Sequence, residues 1–328
     1  MSSPLYRQAL SHSWKLAWQH KSLWVFGMFA AFLGQMGFLE LISRTSLTAA
    51  TRLSPFGLAG NIWAILKAFA TVNVEWRMPL DAWAWLGWLV VSVGGIFLLL
   101  LFVAIVSQGA LIEATAFSVR KKNLPDVGRC WHMGVKHFWR LLAINVFRWV
   151  IFCGLVLAVS IAALNVLLLG SFGDAVLFIL LFILATAVGM AMSFLVIYSA
   201  AYVVVEEKTL GKAIEHAWQL FLDHWLVSIE VGVIVLFLNI IVGLIVALGF
   251  MITFLPTLVT WFIALLTANA NLWTAGLIAG AFFFVLFVIF VGSVFTVFTT
   301  AVWTYLFMAM HHVGIKSRVL HWLNYHKK

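Results

Sequence analysis

Three ionisable side chains stand within otherwise uncharged stretches: Glu113, Arg148 and Glu230. Each lies one or two helical turns inside an apolar run, where a charge is costly unless it is paired or hydrated. Two readings follow. Arg148 could pair with Glu230 or Glu113 and fix helix register, or the three could line a substrate or proton path. A third option is snorkelling of the long side chains to the headgroups. A second group is the histidine set His20, His137 and His224. Three imidazoles could bind a metal ion if the fold gathered them, but no cysteine or carboxylate accompanies each one, and histidine beside tryptophan is ordinary at a membrane boundary. No metal and no cofactor is therefore expected. His311 and His312 read as the interfacial end of a span.

The elements that position these residues recur. Around Trp218 the chain leaves an apolar run at Val205, turns through Glu206, Glu207 and Lys208, and enters a helix that Thr209 is placed to cap. Leu210, Ala213, Ile214, Ala217, Trp218 and Phe221 recur at three- and four-residue steps, the stripe of a half-buried helix lying along a membrane surface. Aligning on Trp218 brings Trp14 and Trp131 into register. The sixth residue after each tryptophan is His20, His137 or His224, and the residue before is small: Ser13, Cys130 or Ala217. Trp14/His20, Trp131/His137 and Trp218/His224 thus form a repeat signature. It predicts three units, each an interfacial helix followed by a hairpin of two spans: about 3–118, 123–205 and 209–313, with a basic tail at 314–328.

Composition sets the class. Apolar residues make up 64% of the 328, charged residues only 9%, and mean hydropathy is +1.09, which excludes a soluble globular domain. The fold class expected is all-α: a polytopic membrane helix bundle of about six transmembrane helices, the whole chain forming a single integral membrane domain. The net charge of +9 is then a matter of topology, not of nucleic-acid binding. With six spans, sixteen of the twenty Lys and Arg fall on one side, which the positive-inside bias makes cytoplasmic. Both termini and all three tryptophan-histidine helices would face the cytosol of a cell whose inner membrane holds the protein. No cleavable signal is expected, since the apolar run from Trp24 continues to Leu41. The cysteines, Cys130 and Cys153, form no framework.

In order, the first span is expected over 23–41, and a segment with an apolar stripe at Ile62, Trp63, Leu66 and Phe69 follows it on the outer surface. The second span lies between Asp81 and Glu113, the third over 141–169, and a turn at 170–174 leads into the fourth, ending at Val205. Ala185, Gly189 and Ser193 make a small-residue face on it. From Val231 to Ile315 no charge occurs. Pro256 and the Thr267–Asn271 turn predict a hairpin there, with a re-entrant connection over 257–266, and Gly276 and Gly280 form a GxxxG step.

Catalytic signatures are missing from the sequence: no HExxH, no Gly-rich phosphate loop, no GxSxG elbow, and no extramembrane segment long enough for a catalytic domain. Glu206 and Glu207 read as solvated turn residues. The run Tyr202-Val203-Val204-Val205-Glu206, then Gly211-Lys212-Ala213-Ile214, Ala217-Trp218-Gln219-Leu220 and His224-Trp225, resembles bacterial multi-pass proteins grouped with the membrane domain of glycerophosphodiester phosphodiesterase. The likeness is clearest over about 110–250. It implies a six-to-eight-span domain and, with the hydrolase part absent here, transfers no catalytic residue. The functional expectation is a non-enzymatic membrane-organising module that binds lipids, with anionic headgroups meeting its cytoplasmic face, or a protein partner or second copy. The alternative is a transporter or channel using Glu113, Arg148 and Glu230.

Overall fold

The computed structural model describes residues 5–33, 80–121, 126–169, 171–267 and 270–313. The described residues form α-helices with no strand: α1 (Leu5–Gln19), α2 (Leu23–Ala31), α3 (Leu80–Lys121), α4 (Val127–Lys136), α5 (Phe138–Leu169), α6 (Phe172–Val205), α7 (Leu210–Asp223), α8 (Trp225–Thr267) and α9 (Ala270–Val313). Five of them, α3, α5, α6, α8 and α9, are long and apolar enough to cross a membrane. An unbroken apolar run favours helix because, in hydrocarbon, only a helix satisfies every backbone group within its own segment.

Contacts divide the chain into two compact units. The first comprises residues 1–33, 103–138 and 201–328, and the second residues 34–102 and 139–200. In the second unit α5 and α6 meet at the small-residue face: Leu155 lies against Gly189, and Ser193 donates its hydroxyl to the Gly189 carbonyl at 2.8 Å. At the start of α6, Ser171 accepts the Asp174 amide at 3.2 Å and donates to the Asp174 carboxylate at 2.6 Å, a side-chain cap at an otherwise open helix end.

The first unit is built on the hairpin of α8 and α9, 43 and 44 residues long. At 1.5 Å per residue each helix measures about 65 Å, twice the hydrocarbon thickness. Gly276 and Gly280 let the two close tightly, since a Cβ at either would strike Thr260 or Thr257. Thr257 donates to the Gly276 carbonyl at 3.1 Å, and Trp261 stacks on Trp273 with ring centroids 4.4 Å apart. The re-entrant connection expected over 257–266 is corrected here. Those residues continue α8 as helix to Thr267, and Pro256 is accommodated inside it. Apolar residues on all sides leave the helix no polar reason to stop, and the neighbouring helix α9 supplies packing across the missing amide.

A second correction falls on the first span. The helix begun at Leu23 ends at Ala31, nine residues on, and turns at Phe32 and Leu33, whose amides return to Phe29 and Ala30. The remainder of the expected span, the stripe at 62–69 and the basic tail lie outside the described residues. What holds α2 is packing, not length. A Cβ at Gly27 would strike the Ser293 carbonyl of α9, Ser293 donates back to the Trp24 carbonyl, and Trp24 packs on Phe290. Trp24 also closes the bend from α1, donating its indole N–H to the Ala17 carbonyl at 2.7 Å.

Candidate functional site

At the end of the first unit where α3, α6 and α9 finish, the short helices α1, α2, α4 and α7 gather. α1 lies against α3 and α9, with His12 3.3 Å from the Ser118 hydroxyl and its ring 5.4 Å from that of Tyr305. α4 lies on α3, close enough at Gly134 that a Cβ would meet the Val106 carbonyl. Trp131 stacks on Phe26 of α2, with centroids 6.3 Å apart. The feet of α3 and α9 are packed here: Ala104 to Ala116 and Ala301 to Met310 are mostly buried, whereas the far halves of both helices are largely exposed.

The three repeat-signature helices share one local geometry. Ser13, Cys130 and Ala217 are each fully buried, so it is the small residue that faces the protein. Trp14 and Trp218 face outward at 54% and 45% exposure, and Trp131 is half-buried. Each histidine stands at the break before the next helix, and its amide bonds the carbonyl four residues back: His20 to Leu16 at 3.2 Å, His137 to Met133 at 3.3 Å, His224 to Leu220 at 3.1 Å. His137 is buried, while His20 and His224 are half-buried. Thr209 occupies the N-cap of α7 as expected, but its side chain makes no capping bond. Among the described residues no group of three His, Cys, Asp or Glu side chains is arranged to hold a metal ion.

Around the end of α6 an ionic and aromatic collar ties these elements together. The amides of Glu206 and Lys208 both return to the Tyr202 carbonyl, and Glu207 between them adopts φ 52°, the left-handed region that costs a side-chain-bearing residue about 1 kcal/mol. That turn aims the two carboxylates apart. Glu206 lies 3.7 Å from Arg120 of α3 and 3.8 Å from His311 of α9, and Glu207 lies 2.7 Å from Lys136 of α4. Tyr202 is buried at the centre. It packs edge-on against Phe307 at 4.7 Å and His311 at 5.6 Å, with the Lys208 ammonium 4.6 Å from its ring. The reading of Glu206 and Glu207 as solvated turn residues is therefore corrected: both are paired. The basic stretch at 120–140 carried the signal, since two of its cations meet them.

The ionisable residues singled out from sequence are dispersed. Glu113 is buried in α3, and the cations that act on it are Arg129 and Arg120, with Lys136 farther off. Glu230 is half-buried near the start of α8 in the same unit, and Arg148 is half-buried in α5 of the second unit. Comparison with known protein families, curated proteins and solved structures returned no match. Function therefore rests on the geometry. Burial pushes the Cys130 thiol up to about 11, with the Glu113 and Asp126 carboxylates adding to the shift, so this cysteine is protonated and a poor nucleophile near neutral pH. Burial, then the Lys15 charge, lowers the His12 pKa. Among the described residues no nucleophile, base and oxyanion donor converge; the collar is suited to holding helices together and offering cations at its rim.

Proposed function

We propose that this chain is a non-enzymatic inner-membrane protein that organises lipids around its cytoplasmic end. The plan behind it is six crossings in three repeats, each opened by an interfacial helix, with both termini in the cytosol. One observation carries the reading: α1 and α7 turn their small residues inward and Trp14 and Trp218 outward, while Arg7, Lys15 and Lys212 on the same helices are exposed. Tryptophan outward beside lysine is the pattern of a helix at the headgroup level, where each basic residue near an anionic surface contributes about 1 kcal/mol. The even number of crossings is supported by where the described chain breaks off. Leu33 follows α2 at the collar end, whereas Leu80 opens α3 at the end remote from Ser118 and the collar. A protein partner or second copy on the same face, and the likeness to membrane domains of glycerophosphodiester phosphodiesterase, belong to this proposal and add no activity to it.

The test is thermal unfolding of the detergent-purified protein with added phosphatidylglycerol or phosphatidylcholine. The anionic lipid should raise the midpoint, the zwitterionic one should not, and Arg7→Gln/Lys15→Gln/Lys212→Gln should remove most of the difference. A transporter reading would draw on the buried polar side chains that share α3 with Glu113, namely Ser107, Gln108, Thr115 and Ser118. It predicts a solute or ion flux in proteoliposomes that Glu113→Gln abolishes. Such a flux, with no preference for anionic lipid, would replace the present proposal.

A further inference from the structure

Taken alone, the first unit is much thicker at one end. Away from the collar its described part is two helices wide, the far halves of α8 and α9 clasped through Thr257, Gly276 and the Trp261–Trp273 stack. At the other end four short helices surround the feet of α3 and α9. α1 reaches Phe298 and Tyr305, and α2 reaches Phe290 and Ser293. α7 comes within ring contact of Tyr202, which itself touches Phe307 and His311. The outer surfaces of these short helices are not dressed for water alone. Trp14 and Trp18 on α1, Val25 on α2, Val127 and Val135 on α4, and Trp218 and Leu222 on α7 are all exposed by more than a third. Their occupant is lipid, not a second copy, because exposed Lys15, Arg129, Lys136 and Lys212 are interleaved with the apolar groups. An anionic headgroup layer complements that mixture, and an identical basic surface would repel it.

From this we infer that the first unit is a one-leaflet wedge: α1, α2, α4 and α7 occupy area in the leaflet on the collar side that the far end of the α8–α9 hairpin does not match in the other, so the protein favours membranes convex on the collar side. The inference rests on the membrane reading above and specifies the kind of lipid surface it engages. Side chains at headgroup depth spread that leaflet, and insertion of such helices is sensitive to curvature for this reason.

The experiment is reconstitution of the full chain, carrying Gln219→Cys on the exposed face of α7 and Cys153→Ala, into vesicles of phosphatidylethanolamine and phosphatidylglycerol sized to about 30 nm or about 400 nm. A membrane-impermeant maleimide, added before and after lysis, reads the fraction with the collar outward. The ratio of collar-out to collar-in should be at least about threefold higher in the small vesicles. Trp14→Ser/Trp218→Ser, which alters exposed positions only, should bring the two ratios together. A ratio independent of diameter, or one that the tryptophan changes leave untouched, overturns the wedge. The detergent experiment above involves no vesicle curvature, so loss of the diameter effect with anionic-lipid stabilisation intact rejects the wedge and leaves the membrane reading standing.

Discussion

Ser13, Cys130 and Ala217 occupy one position in three helices, each fully buried, yet they differ in polarity. The Ser13 hydroxyl is enclosed with no hydrogen-bond partner among the described residues, and leaving such a group dry costs about 1–3 kcal/mol. Ser13→Ala, which installs the residue already present at 217, should therefore stabilise the protein by about 1 kcal/mol in a chemical unfolding titration. Cys130 gives a pH signature instead. Its thiol is held up to about 11 in the fold against about 9 when unfolded, so the folded state binds the extra proton between those values. Its contribution is complete below pH 9 and lost as pH rises towards 11. Cys130→Ala should flatten that alkaline fall relative to the parent. His12 acts in the opposite direction: its lowered pKa means stability is lost as pH falls below about 6.5, and His12→Gln should blunt that loss. The tryptophan-histidine spacing in the sequence located these helices, but it could not show which side of the stripe faces inward. Alanine, serine and cysteine permit closer backbone approach than tryptophan does, and the packing chose closeness.

At the level of whole elements, the end of α6 shows a tension between backbone and side chain. Glu207 accepts a left-handed conformation that glycine would adopt freely, and in return its carboxylate reaches Lys136. That pair is about half exposed and is worth no more than about 1 kcal/mol. Glu207→Ala loses the pair and keeps the strain, whereas Glu207→Gly loses the pair and relieves it. The glycine variant should exceed the alanine variant by about 1 kcal/mol in stability, and equal values would remove strain from the account. Helix contacts at glycine are less forgiving. Gly134→Ala would drive a methyl into the Val106 backbone of α3 and should destabilise by about 1–3 kcal/mol, with α4 first to lose amide-exchange protection. Hydropathy made the long helices legible, because an uncharged run of this length has no soluble alternative. Their ends were less so. The re-entrant segment was inferred from Pro256 and the first span from an unbroken apolar run, but Pro256 sits inside a continuous helix and α2 stops at Ala31 to fit against Ser293. Neither contact is local in sequence, so no window of residues could announce it.

For the molecule as a whole, the distribution of charge argues for one orientation. The collar joins the termini of α3, α6 and α9 to α1, α4 and α7 through Arg120–Glu206, Lys136–Glu207 and His12–Ser118. Most of the chain's lysines and arginines belong to these elements or flank them, while the 34–79 stretch holds only four. Translocating the basic end would oppose the membrane potential at about 2.3 kcal/mol per charge per 100 mV, so the collar should remain in the cytosol. Three positions test this at once, since Lys15, His132 and Gln219 are exposed and lie one in each short helix of the repeat signature. In a Cys153→Ala background, Lys15→Cys, His132→Cys and Gln219→Cys should all resist a membrane-impermeant maleimide applied to intact cells and react after permeabilisation. Cys130 adds no signal, being buried with a thiol that stays protonated at labelling pH. Because the collar binds the three helices into one unit, their protection must be shared: modification of any single site from outside would place one repeat across the membrane from the others and break both the orientation and the threefold plan.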